Sequence, residues 1–166
     1  NSFSKYFGMT GWRIGWLIVP ESFAQATEKL AQNIFISTSS HSQYAALAAF
    51  DPTTLQELEL RREDFASKRD FLYEHLLRLG FNIPVKPAGA FYIYADARQF
   101  TDDSQELAEQ LLEIEGVAIT PGKDFGQNES QHYLRFSYTS SMATIAEGIK
   151  RLERFLITYK QRARLT

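Results

Sequence analysis

Ser2-Phe3-Ser4-Lys5, followed by Thr10-Gly11-Trp12-Arg13-Ile14-Gly15, gathers an amine, two serine hydroxyls spaced by one residue and a guanidinium into a single short segment. A lysine that acts as a nucleophile has to be held still and desolvated, whereas hydroxyls and an arginine are what a phosphate monoester needs for charge-assisted hydrogen bonds. Taken singly, Lys5 reads as a solvated surface amine, and Ser2 and Ser4 as strand-end hydroxyls. Arg13 lies between Trp12 and Ile14 in an otherwise apolar run, where an unpaired charge is costly, so an anion is expected against it. Gly11 and Gly15 on either side allow close backbone approach. An aldehyde and a phosphate on one small ring, as in pyridoxal 5′-phosphate (PLP), would use all of these groups together.

Three further stretches follow in order: Pro87-Ala88-Gly89-Ala90-Phe91-Tyr92, Pro121-Gly122-Lys123-Asp124-Phe125-Gly126, and Tyr133-Leu134-Arg135-Phe136-Ser137. Together with the lysine segment they resemble the landmarks of the fold-type I, class I/II aminotransferases, in that family's order. Several ordered motifs are much harder to reach by chance than one. The resemblance covers nearly the whole chain but only the C-terminal portion of the family's fold, so the chain is expected to be a fragment that opens just before the PLP lysine.

The resemblance implies that Lys5 forms the Schiff base with PLP and moves the proton, and that Ser2, Ser4 and Arg13 hold the cofactor phosphate. It also implies that Arg135 binds the substrate α-carboxylate through a two-pronged hydrogen bond, for which guanidinium is suited and ammonium is not. Without it, Arg135 could be an edge-strand arginine facing solvent. Tyr6 departs from the small or polar residue more usual after the lysine, a difference that bears on substrate preference. Asp96, Asp102, Asp103 and Asp124 read as turn acids and receive no catalytic role. The implied activity is transamination between an amino acid and a 2-oxo acid by a cytoplasmic homodimer, the fragment alone being inactive. A β- or γ-lyase or synthase on the same fold would use the same residues, as would an aminotransferase-like domain of a transcription regulator.

Composition is compatible with this. At 166 residues and 44% apolar, the chain can bury a core of about one domain. A net charge of −2 gives no basic footprint for nucleic acid. With no Cys and three separated histidines (His41, His75, His132), no metal site is expected. No apolar run approaches the roughly 20 residues needed to cross a bilayer.

Periodicity predicts an α/β chain in which a helical connector leads into a small α+β domain. Trp12 to Val19 is β-prone and ends at Pro20, which predicts a buried strand. Residues 22 to 50 read as two helices broken at Ser37-Thr38-Ser39-Ser40, where hydroxyls serve as N-caps. Leu55, Leu58, Phe65, Leu72, Leu76 and Leu79 share one stripe, predicting a helix from about Thr53 to Leu79 closed by Gly80. Strands are expected at 91–95, 117–119 and 133–138, with helices at Ser104–Glu115 and from about Ile145 to Gln161. The last is predicted to start with a Thr144/Glu147 capping box and to bury Ile145, Ile149, Leu152, Leu156 and Tyr159. By the resemblance, residues 1–51 belong to a large PLP-binding domain, 52–80 to a connecting helix and 81–166 to a small domain.

Overall fold

Pro20 ends the irregular N-terminal segment of the computed structural model, which describes residues 1–163, and the first helix begins at the next residue. Helix α1 (Glu21–Ile34) is followed by α2 (Ser40–Ala48) and by the long α3 (Pro52–Leu79), so the serine-rich break falls where the sequence places it. Ser39 precedes α2 but its side chain caps nothing; Gln43 Nε2 instead donates to the Thr38 carbonyl at 3.0 Å. Pro52 opens α3 at the one helical position where a missing N–H costs nothing. The chain divides within α3 into two compact units, Asn1–Glu63 and the remainder from Asp64.

In the first unit, Phe3, Met9, Ala46 and Ala49 form a small core with Phe7, Ile14 and Ala45 against it. The rings of Phe3, Phe7 and Phe50 meet at centroid distances of 4.7 to 5.7 Å. The predicted strand from Trp12 to Val19 does not form. Thr10–Trp12 is a 3₁₀ turn, and Arg13 stands in the left-handed region (φ 52°, ψ 51°), so extended chain resumes only at Ile14. Its one ladder contact is the Ser2–Gly15 bridge, flanked by Phe3 N to Ile14 O at 3.1 Å and Trp16 N to Asn1 O at 2.9 Å. Beyond it, among the described residues, no strand pairs with residues 17–19, and Leu17 and Ile18 are 69% and 87% exposed. The run is strand-like in composition, but a strand is defined by its neighbours.

In the second unit, β1 (Tyr92–Asp96), α4 (Ser104–Glu115), β2 (Thr120–Pro121), β3 (Tyr133–Ser137) and α5 (Met142–Ala163) follow the second half of α3. The strands form an antiparallel sheet in the order β1-β3-β2, with Tyr94 and Thr120 both opposite Arg135. Alternation along β1 and β3 buries Ile93, Ala95, Leu134 and Phe136 on one face, where they meet Leu72 and Leu76 of α3, Leu107 and Leu111 of α4, and Ile149 and Leu152 of α5. Tyr94, Tyr133 and Arg135 lie on the opposite face.

Local chemistry sets the helix ends. The Asp103 carboxylate accepts from Gln105 N at 2.9 Å to cap α4, and Gly116 closes it in the left-handed conformation (φ 65°). Gly80 (φ 102°) ends α3 in the same way, donating to Leu76 O and Leu77 O. Two expectations need correction. Val117 to Ile119 is not a strand: Val117 and Ile119 pack against the core, but the ladder is made only by Thr120 and Pro121, and Pro121 has no N–H to extend it. The cap of α5 is Ser141, not Thr144; its Oγ accepts from Thr144 N at 3.2 Å, so the helix starts three residues earlier than the capping box implies. Ile145, Ile149, Leu152 and Leu156 are buried and Tyr159 packs beside them, joined by Phe155.

Gly122 is the most closely packed glycine of this unit. A Cβ there would lie 2.3 Å from Ser130 O, 2.5 Å from the Tyr94 hydroxyl and 2.9 Å from Tyr133 O, and two of those atoms are backbone. Gly122→Ala is therefore expected to lower stability by roughly 1–3 kcal/mol through forced backbone shifts. Denaturant melts of the two proteins test this, and an unchanged midpoint would contradict it.

Candidate functional site

The lysine loop is pinned from within. Ser2 Oγ accepts from Ser4 N at 3.0 Å, Thr10 Oγ1 donates to the Ser4 carbonyl at 2.6 Å, and Gly8 N donates to the Lys5 carbonyl at 3.0 Å. Phe3, between the two serines, is buried in the first unit's core. The backbone on both sides of Lys5 is thus fixed, although the residue itself is exposed. Gly8 can make this turn because it takes a positive φ (67°), and the space where its Cβ would sit is filled by the Arg61 guanidinium, 2.8 Å away.

Arg13 closes the loop's other end. It is exposed rather than buried, and its Nη1 donates to Thr10 O at 2.9 Å. Its left-handed backbone turns the residue out of line with its apolar neighbours. Ser42 Oγ donates to Trp12 O at 2.6 Å, tying the turn before Arg13 to α2. Gly15 is needed for close approach, since a Cβ would come within 2.5 Å of Asn1 O, whereas Gly11 faces open space. Ser2, Ser4, Lys5 and Arg13 are therefore brought onto one loop, with Ser4 half-buried and the others exposed. Thr10, Gly8 and Ser42 do the fixing and were not singled out by sequence reasoning. Thr10 could have been, from its place inside the quoted motif.

Tyr6 points its hydroxyl to Glu59 on α3 at 2.5 Å. That hydrogen bond pushes the Tyr6 phenol above its ordinary range and, with Arg62 as a second partner, holds the Glu59 carboxyl below the usual one.

Arg135 belongs to the second unit and is half-buried on the outer face of the central strand. Its guanidinium carbon lies 4.3 Å from the Phe125 ring centroid and 5.3 Å from that of Tyr92, and Nη2 reaches Thr120 Oγ1 at 3.4 Å. Next to it Tyr94 and Tyr133 stack at 4.8 Å with ring planes 4° apart. Burial, and secondarily the neighbouring Tyr133, raises the Tyr94 phenol. Of the acids left without a role, Asp96 is buried and paired with Arg98 at 2.9 Å, and Asp103 holds Lys123 at 2.8 Å besides capping α4. Among the described residues, no cluster of His, Asp or Glu is placed to hold a metal ion, and no helix is long and apolar enough to cross a membrane.

The family model for aminotransferase class I and II matches residues 1–152. The chain is 39% identical over 156 residues to the valine–pyruvate aminotransferase of Mycobacterium tuberculosis, covering 94% of this chain and 40% of that protein. It is 38% identical to the (5-formylfuran-3-yl)methyl phosphate transaminase of Methanocaldococcus jannaschii, covering 94% of this chain and 41% of that protein. A crystal structure of an aminotransferase from Mycobacterium tuberculosis superimposes with a TM-score of 0.90 at 39% identity, over 95% of this chain and 41% of that one. The chain thus spans about 40% of the length of the curated relatives it matches.

Proposed function

The chain belongs to the class I and II aminotransferases, and on that premise we propose that the polypeptide containing it moves an amino group between an amino acid and a 2-oxo acid with PLP as cofactor. The observation that carries the reading is the lysine loop, where Lys5 stands on backbone fixed at the Ser4 and Lys5 carbonyls while Ser2, Ser4 and Arg13 share the same loop. The donor set fits the cofactor. Ser2 Oγ accepts from Ser4 N and so keeps its own hydrogen to donate, and the bond to Thr10 O uses one N–H of the five on Arg13.

In this reading Ser2, Ser4 and Arg13 would hold the phosphate and Lys5 would hold the aldehyde carbon. Bound there, PLP supplies an electron-withdrawing ring that makes the substrate α-hydrogen acidic. The Lys5 amine, set free when the substrate amine takes its place on the aldehyde carbon, would take the proton from the substrate α-carbon. Arg135 binds and orients the α-carboxylate, which fixes the bond to be broken. Residues 1–51 would serve as part of the cofactor domain, 52–80 as the connecting helix and 81–166 as the small domain, within a cytoplasmic homodimer of the intact polypeptide.

Product analysis tests the reaction class. Incubated with PLP, a panel of amino acids and a 2-oxo acid acceptor, the full-length protein is expected to yield the acceptor's amino acid in one-to-one ratio with the donor's oxo acid. Release of ammonia without an acceptor would instead identify a lyase and overturn the proposal.

A further inference from the structure

We propose that Phe125 is a positioning residue for Arg135, with Tyr92 as its counterpart: the two rings orient the guanidinium without neutralising it, so that its charge stays available to a carboxylate. The inference rests on the reading of Arg135 as the substrate-carboxylate group. An arginine on a sheet surface is commonly held by a neighbouring acid, yet among the described residues Arg135 has no carboxylate partner. What surrounds it is aromatic. Tyr92 comes from β1 on one side of the central strand, and Phe125 from the turn that follows β2 on the other.

A ring attracts a guanidinium through its quadrupole, weakly and face-on, and leaves the N–H edges free for hydrogen bonds. An acid would do the opposite, occupying those edges and competing with the substrate. Among the described residues the one side-chain polar contact of the guanidinium, Thr120 Oγ1 at 3.4 Å, is long and uncharged and takes little of that capacity.

Phe125 is built to stay in place although it is 48% exposed. Its N–H donates to Gly122 O at 2.9 Å, and Gly122 is locked by the backbone packed against it. Lys123 on one side is tied to Asp103, and Gly126 on the other accepts from Ser130 Oγ at 2.7 Å. The Tyr94 ring meets Phe125 edge-on at 6.4 Å. An exposed phenylalanine held at its own N–H and at the Gly126 carbonyl, with Lys123 tied down nearby, and standing over an arginine without an acid, has a use that core packing does not supply.

The test uses the full-length enzyme. Phe125→Leu keeps an apolar side chain and removes the ring face. It is expected to raise KM for the amino acid about tenfold with kcat within twofold and melting temperature unchanged, while Phe125→Tyr restores the wild-type KM. Wild-type KM in Phe125→Leu, or a fall in kcat with KM unchanged, would overturn the inference, as would equal impairment of the Leu and Tyr variants. Arg135→Lys, measured alongside, separates the two levels. If it leaves kcat/KM intact, the reading of Arg135 itself fails; if it is impaired while Phe125→Leu is not, only the role of Phe125 fails.

Discussion

Replacing Lys5 with alanine is expected to reduce multiple-turnover transamination by about four orders of magnitude, the scale on which removal of a positioned general acid–base acts. The argument is local. The fixed carbonyls of Ser4 and Lys5 aim one side chain from this loop, and alanine leaves them fixed while removing the amine. Fold and phosphate-binding groups should therefore survive, and the variant should still take up PLP, but without covalent attachment. Borohydride reduction followed by peptide mapping reads this apart from activity: the wild-type protein should carry the cofactor mass on the peptide containing Lys5, and the variant should carry none. Partial rescue of turnover by added methylamine would show that the amine is what was lost. A variant that retained cofactor on another lysine after reduction, or turned over at the wild-type rate, would end the assignment of Lys5.

Features whose cause is local were legible in the sequence. The stripe from Leu55 to Leu79 reports α3, and α4 is legible at its observed ends, because periodicity and turn residues act within a few positions, although Asp103, read as a turn acid, proves to be its N-cap. The lysine motif was legible for the same reason, being contiguous. What failed depends on partners distant in sequence or on backbone states that residue type does not announce. Trp12 to Val19 and Val117 to Ile119 have strand-like composition, but the first lacks a ladder beyond Gly15 and the second joins one only at Thr120. Arginine at position 13 gives no hint of a positive φ. The ring over Arg135 was hidden too, since Phe125 reaches it through the pairing of β2 with β3 and the turn that follows β2.

Arg135→Lys is the second large effect expected, a loss of about 2–4 kcal/mol in transition-state stabilisation, or roughly 30- to 1000-fold in kcat/KM for amino acids. The substitution keeps the positive charge, so any loss reports geometry. Guanidinium offers two parallel N–H groups to a carboxylate, and the surrounding aromatic rings and Thr120 orient those groups in advance; ammonium offers a point charge on a flexible stem that would have to be ordered at each binding event. The loss should fall on substrates with an α-carboxylate and largely spare amines without one, so the ratio of kcat/KM for an amino acid to that for its decarboxylated analogue should collapse. Cofactor content should not change, because the groups assigned to the cofactor lie on the lysine loop. Equal kinetics for wild type and variant, or a parallel loss on both substrate types, would return Arg135 to a structural role on the sheet, where its stacking between rings would be an end in itself.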